Sequence, residues 1–311
     1  MKDKRILITG GGGFIGTALA ERLSINNAVT LLDTSFKQQS APSIVERIAA
    51  SVLDESALER AVSDSQVIIH TAARVGVQDV IQDAVTTLNT NYTGTANVLL
   101  AALRNPHCER VVSFSTSEIF GVNAFDVAEN GTSVFPSVQD VRWCYALSKF
   151  AAEHLALGYH RQHGLPVTVV RPFNVFGMGR TGDHAMLQFI TRALRGEDLV
   201  VYGSGSQIRA WCYIDDFCAA VLSILDTELA IGKVFNIGNP LNTITVYQLA
   251  KLVVRLCQSK SKIVFRSSPN MDITVRIPDI TLAKDLLGFV PKMDIERGVM
   301  QVIGWTREDR E

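Results

Sequence analysis

A tyrosine and a lysine stand four residues apart in Tyr145-Ala-Leu-Ser-Lys149. On a helix that spacing puts both side chains on one face. A phenol is a weak base until its anion is stabilised, and a neighbouring ammonium draws its pKa from ~10 towards neutrality. Such a pair could take the proton from an alcohol while the carbon that bears it is oxidised. The same spacing occurs on ordinary solvated helices, so the pair acquires meaning only from its surroundings. One such surrounding is Thr9-Gly-Gly-Gly-Gly-Phe-Ile-Gly16, where Gly10, Gly13 and Gly16 follow a G-x-x-G-x-x-G spacing. Glycines there permit a tight turn and let backbone N–H groups approach a diphosphate at a helix N-terminus. Asp33 closes the next apolar run, 23 residues past Gly10. A carboxylate in that place suits the diol of an adenosine ribose and repels a 2′-phosphate, which points to NAD rather than NADP. An acid at a strand end is also placed to cap a turn.

The elements that must carry these residues alternate. Strand-like runs are Arg5–Thr9, Ala28–Asp33, Val67–Ala73, Arg110–Ser115 and Pro166–Arg171, with helical spacing between them, as in Phe14–Leu23. Near-continuous apolar strands separated by helices imply a parallel sheet covered on both faces. After about residue 173 the rhythm changes. Gly177–Gly182 is a loop, Ala185–Arg195 is helical, and Val200–Ser206 runs from a strand into a turn. Val234–Gly238 is strand-like again, Val246–Cys257 is an amphipathic helix, and a last helix lies near Ile295–Ile303. The expectation is an α/β chain: a doubly wound parallel sheet over residues 1–173, completed by parts of 211–257. A smaller α/β domain, mainly 174–311, would cover the sheet's C-terminal edge, where ligands bind in open α/β folds.

Composition excludes other classes. The chain has 311 residues, 47% of them hydrophobic, which is ample for a buried core. Thirty basic against thirty-one acidic residues leave no surplus for a nucleic-acid partner. No apolar run reaches the ~18 residues of a membrane helix, and Met1-Lys-Asp-Lys-Arg-Ile leads straight into a strand. Five cysteines are scattered, with no C-x-x-C pair. His154, His160 and His163 share one helical segment, without carboxylates or cysteines at metal-ligand spacing, so no metal is expected. A cytoplasmic protein is the resulting expectation.

Taken together, Thr9–Gly16, Asp33, His70-Thr-Ala-Ala73, Asn91-Tyr-Thr-Gly-Thr95, Ser115-Thr-Ser-Glu118, Tyr145-x-x-x-Lys149 and Arg171-Pro-Phe-Asn174 resemble the extended short-chain dehydrogenase/reductase family. The likeness is to its nucleotide-sugar epimerases, dehydratases and decarboxylases, and runs from Ile6 to about Val299. It implies a Rossmann-type sheet with a C-terminal substrate-binding part, a bound NAD, a nucleotide-diphosphate sugar as substrate and a homodimer. The dimer would form through the helices near Thr93–Leu103 and Tyr145–Tyr159. By the same resemblance Gly10, Gly13, Phe14, Ile15 and Gly16 hold the cofactor diphosphate and Asp33 the ribose. Ser51 and Val52 flank adenine, although the family usually has Asp where Ser51 stands. Thr71, Ala72, Ala73, Asn91 and Pro172 line the cofactor. Tyr145 is implied as base, Lys149 as partner of the nicotinamide ribose, and Thr116 as partner of the reacting hydroxyl. Asn174, Gln188, Arg209 and Arg276 match positions that grip the substrate diphosphate and its neighbours. Guanidinium groups suit that task by their bidentate geometry. Tyr202, Trp211 and Tyr213 flank the same region and could stack on a base or pack in the core.

The reaction turns on the residues after Thr116. Enzymes of this kind first oxidise the sugar C4 hydroxyl to a ketone. A 4,6-dehydratase carries an Asp–Glu pair there, and Ser117 cannot replace that acid. Ser117-Glu118 is instead similar to the Thr-Ser-Glu of UDP-glucuronate decarboxylases, as are Arg276-Ile-Pro-Asp-Ile280 and Arg142-Trp143. Decarboxylation is therefore the leading expectation, with Glu118 in the chemistry, and 4-epimerisation the alternative. A non-catalytic NAD sensor would commonly have lost Tyr145 or Lys149, and both are kept.

Overall fold

The computed structural model describes residues 1–36, 45–182, 184–267 and 273–308. In chain order its strands are β1 (Arg5–Thr9), β2 (Ala28–Asp33), β3 (Glu46–Ala49), β4 (Val67–His70) and β5 (Arg110–Phe114). Then come β6 (Asn123–Val127), β7 (Val167–Pro172), β8 (Val175–Phe176), β9 (Leu199–Tyr202) and β10 (Ile208–Ala210). The last are β11 (Cys212–Tyr213), β12 (Val234–Ile237), β13 (Thr243–Thr245), β14 (Ile263–Arg266) and β15 (Val275–Pro278). Seven of them form one sheet in the order β12-β7-β5-β4-β1-β2-β3, with every neighbouring pair parallel.

The apolar runs explain this sheet. β4 and β5 are buried along their whole length, as strands with helices on both faces must be. Alternate residues feed opposite faces: Ile6, Ile8, Val67 and Ile69 join one core, Leu7, Ile68 and Val111 the other. Each such side chain contributes roughly 1.5–3 kcal/mol by leaving water. β3 escaped the sequence reading because it is an edge strand, mostly exposed, with no apolar face to mark it.

Chain order and spatial order part company in two places. Val234–Ile237 lies beside β7 in the large sheet, far in sequence from its other strands. Asn123–Val127 leaves that sheet and edges a second one, of order β13-β10-β15-β6. Strand order reverses between β1 and β4, whose carboxyl ends Thr9 and His70 are paired in register. Ligands of open α/β sheets bind at such a switch point.

His70 ties that point together. It is 1% exposed. Thr9 Oγ1 lies 2.7 Å from its Nδ1 and Thr95 Oγ1 2.9 Å from its Nε2. Thr95 Oγ1 gives its own proton to the Asn91 carbonyl, at 2.6 Å, so it must accept from His70 Nε2–H. The imidazole is thus neutral, protonated on Nε2, and accepts from Thr9 through Nδ1. Burial, with Lys149 adding repulsion, pushes its pKa down from 6.5 to about 3. A displacement of that size is linked to stability on the order of 5 kcal/mol. The unfolded chain takes up this proton below about 6.5 and the folded chain only near 3. Stability from this group is therefore fully present above 6.5 and is lost as pH falls through that window. Thermal melts between pH 7 and pH 4 should show a declining midpoint, and His70→Asn should flatten the decline. An unchanged slope in the variant would remove His70 from this role.

Candidate active site

Helix Phe14–Leu23 starts where β1 ends. Its N-cap, Gly13, offers no side-chain cap and its first turn holds no acid, so the positive end of the helix dipole is left for an external anion. Two glycines make the loop possible. Gly10 has φ +72°, and a Cβ on it would lie 2.5 Å from the Ala72 nitrogen. A Cβ on Gly16 would lie 2.3 Å from the Gly10 carbonyl oxygen, so only glycine lets helix and turn approach so closely. Gly13, by contrast, would meet only the Gly10 carbonyl, at 3.2 Å, and faces open space otherwise. With Phe14 and Ile15 in the uncapped first turn, this cradle fits the diphosphate of a dinucleotide.

Asp33 lies beside the same loop. Its carboxylate accepts from the Gly12 N–H at 3.0 Å and from the Ser35 N–H at 3.2 Å, so it caps the turn and also faces the cradle. Ser51 Oγ accepts from the Leu53 N–H, and Val52 is buried against helix Gly94–Arg104, its carbonyl accepting from Asn97. Thr71 donates to the Thr9 carbonyl at 2.8 Å, which lays Thr71, Ala72 and Ala73 along the glycine turn. Buried Asn91 accepts from the Arg74 N–H and donates to the Arg74 carbonyl and to Ser148 Oγ, at 2.8, 3.1 and 3.1 Å. Ser148 donates in turn to the Tyr145 carbonyl, at 2.7 Å. Pro172 ends β7 in register with Ile237.

Tyr145 and Lys149 lie on the first turns of helix Cys144–His163. Arg171 clamps that helix to β7: it is bonded through two nitrogens to buried Glu153, donates to the Glu129 carbonyl and stacks on Phe120. Thr116 caps a one-turn 3-10 helix, Ser117–Phe120, its Oγ1 accepting from the Glu118 N–H at 3.2 Å. Glu118 Oε1 lies 3.5 Å from Nη1 of buried Arg276. The chain thus brings Thr116, Glu118, Tyr145 and Arg276 to one place.

Lys149, one helical turn on from Tyr145, is buried: its Nζ donates to the Phe114 carbonyl at 2.7 Å, and burial lowers its pKa to about 8. Burial, helped by the negative charge of Glu118, pushes the Tyr145 phenol above its usual value, while Thr116, Arg276 and Arg180 pull it back. Arg180 is the residue that sequence reasoning missed. Its loop, Gly177–Gly182, was legible, yet nothing in the spacing told which way the side chain turns.

On the other side of the site, β10 and β15 are parallel with Arg209 opposite Arg276, so two guanidinium-bearing residues are neighbours on one sheet. Asn174 takes φ +40° and donates to the Ala210 carbonyl at 2.9 Å, joining the end of β7 to β10. Gln188 lies in the first turns of helix Ala185–Arg195. Tyr202 stands 49% exposed at the end of β9. Trp211 and Tyr213 are buried and pack edge-on against Phe176, which makes them core residues rather than a stacking surface.

Residues 6–238 match the NAD dependent epimerase/dehydratase family. The chain is 35% identical over 325 aligned positions to the UDP-N-acetyl-alpha-D-glucosaminuronate decarboxylase of Bacillus cytotoxicus, covering 98% of each. It is 32% identical to UDP-glucuronic acid decarboxylase 1 of Xenopus tropicalis, covering 99% of this chain and 73% of that one. Among solved structures, the UDP-glucose 4-epimerase of Thermotoga maritima with UDP-glucose superposes with a TM-score of 0.92 at 28% identity, covering 99% of this chain and 100% of that one. Among the described residues no helix is long and apolar enough to cross a membrane.

Asp33 sets the cofactor preference expected of this site. NAD should bind at least tenfold more tightly than NADP, a difference of about 1.4 kcal/mol. Calorimetry on the wild type and on Asp33→Ala checks this: the variant should lose most of the preference, and equal affinities in the wild type would contradict it.

Proposed function

The chain belongs to the NAD-dependent epimerase/dehydratase family, and from that premise we propose that it decarboxylates a UDP-linked uronic acid. The observation that carries this reading is the Glu118–Arg276 pair, 3.5 Å apart and within electrostatic reach of Tyr145. The sequence likeness to the Bacillus cytotoxicus and Xenopus tropicalis decarboxylases supports it.

Bound NAD supplies the reversible oxidation of the sugar C4 hydroxyl to a ketone. In this reading Gly10, Gly13, Phe14, Ile15, Gly16 and Asp33 hold that cofactor, and Lys149 orients its nicotinamide ribose. Tyr145 takes the proton of the C4 hydroxyl, with Thr116 fixing the oxygen. Once C4 is a ketone, a carboxyl group on C5 is β to it. The C5–C6 bond breaks, carbon dioxide leaves, and the electron pair stays on C5 and the C4 oxygen as an enolate. A proton must then reach C5 before the ketone is reduced.

Arg276 draws in the substrate carboxylate, and Glu118 keeps that carboxylate from settling into a stable ion pair. Binding energy is thereby withheld from the ground state and left for the departure of neutral carbon dioxide. Arg276 tempers the bare repulsion that Glu118 alone would exert. Arg209, Asn174 and Gln188 serve the sugar-nucleotide diphosphate. A 4-epimerase is the second reading, favoured by the superposition on the Thermotoga maritima enzyme. It would use Tyr145 and Thr116 alike and leave Glu118 without a task.

We also propose a homodimer. Leu88, Tyr92 and Leu147 are exposed and, with Asn89, Thr93, Ser148 and Ala151, line an apolar groove beside the Tyr145 helix. All five cysteines are free thiols, which fits a reducing, cytoplasmic setting.

Mass spectrometry of products from UDP-glucuronate and its 2-acetamido counterpart decides the reaction. Loss of carbon dioxide from either is the expected result; interconversion of 4-epimers without loss of mass would put the epimerase in its place. Glu118→Gln should slow the release by about tenfold or more while NADH absorbance still reports oxidation at C4. Tyr145→Phe should fold and bind NAD while losing ~10²–10⁴ in turnover.

Light scattering should find a dimer that Leu147→Glu splits into monomers; a wild-type monomer would end that part of the proposal.

A further inference from the structure

Arg180 reaches the site from the loop that follows β8, on the substrate side. Its guanidinium lies over the Phe14 ring, 5.1 Å from the centroid, and Phe14 opens the helix whose uncapped N-terminus forms the cradle. It is also close enough to Tyr145 for the two to feel each other's charge. Among the described residues no carboxylate pairs with it, whereas two buried arginines nearby in the fold have such partners: Arg171 has Glu153 and Arg276 has Glu118. A guanidinium removed from water without a counter-charge is costly, and cation–π contact offsets only part of that cost.

Gly179 and Gly182 flank Arg180 with φ of +81° and +87°, left-handed backbone that glycine adopts without strain.

We propose that Arg180 is a cofactor-binding residue that crosses from the substrate side to clamp the dinucleotide diphosphate against the N-terminus of helix Phe14–Leu23. The ligand is a diphosphate ester because a guanidinium fork and an uncapped helix N-terminus side by side offer donors to two adjacent anionic groups. The contact with Phe14 assigns it to the dinucleotide; Arg209 and Arg276 stand together on the other sheet for the sugar nucleotide. The clamp has a use in the proposed decarboxylation, because a cofactor that is reduced and reoxidised within one turnover must be retained throughout. The clamp itself concerns NAD binding and stands whichever sugar reaction is catalysed.

Titration calorimetry with four probes tests it on Arg180→Gln and Arg180→Lys. In Arg180→Gln, NAD and ADP-ribose should each bind about tenfold more weakly, as the loss of a charge-assisted diphosphate contact implies. AMP, which lacks the diphosphate bridge, and UDP should keep their affinities within about twofold, and Arg180→Lys should recover part of the loss. Weakened UDP binding with NAD unchanged would assign the cation to the sugar nucleotide and overturn the proposal. Unchanged affinity for all four probes would overturn it too, leaving Arg180 as packing on Phe14. A uniform loss for all four with a lowered melting temperature would show a structural role instead.

Discussion

Everything at this site depends on a buried chain of polar contacts that begins under the glycine turn. Thr9 donates to His70, His70 to Thr95, and Thr95 to the Asn91 carbonyl. The Asn91 side chain then holds the 71–74 loop through Arg74 and the Tyr145 helix through Ser148. None of these groups has water to fall back on, so each must keep its partner or cost the protein a buried unsatisfied donor or acceptor. The network fixes where β1, β4 and two helices stand relative to one another. The glycine turn, the 71–74 loop and the Tyr145 helix are thereby held in a fixed relation.

That framework leaves the charges to be balanced. Tyr145 is desolvated and faces Glu118, both of which oppose loss of its proton. The cations that pull it back, Arg276 and Arg180, are delivered from the second half of the chain. Lys149, one helical turn away, donates to the Phe114 carbonyl at the end of β5. The Tyr145 helix and β15 are in this way electrostatically joined: the phenol owes part of its acidity to Arg276, a residue 131 positions further along the sequence.

The same junction explains how one scaffold can serve several reactions. In the proposed mechanism, oxidation at C4 uses the cradle, Tyr145 and Thr116, whereas the fate of the resulting ketone depends on Glu118 and Arg276, which come from a single 3-10 turn and one strand of the second sheet. The fold likeness to an epimerase and the sequence likeness to decarboxylases are therefore compatible, since the fold does not record that choice.

Sequence alone determined the alternating strands, the glycine turn, the acid at the end of β2 and the Tyr–Lys pair. All of these are local: they depend on periodicity within a strand or helix, or on a turn that only glycine can make. Glu118 could be picked out beside Thr116 for the same reason. The partner of Glu118 could not, because Arg276 arrives through a parallel pairing of β15 with β6 and β10 that no spacing announces. Val234–Ile237 does complete the first sheet, as its strand-like run within 211–257 led one to expect, but its pairing with β7, the exposure of Tyr202 and the turn of Arg180 onto Phe14 are set by the tertiary structure. The acceptor of the Lys149 ammonium, the Phe114 carbonyl, was hidden for a related reason. Helical spacing tells that two side chains share a face, but a buried ammonium goes to whatever acceptor the neighbouring strand presents, and only the tertiary structure decides which that is.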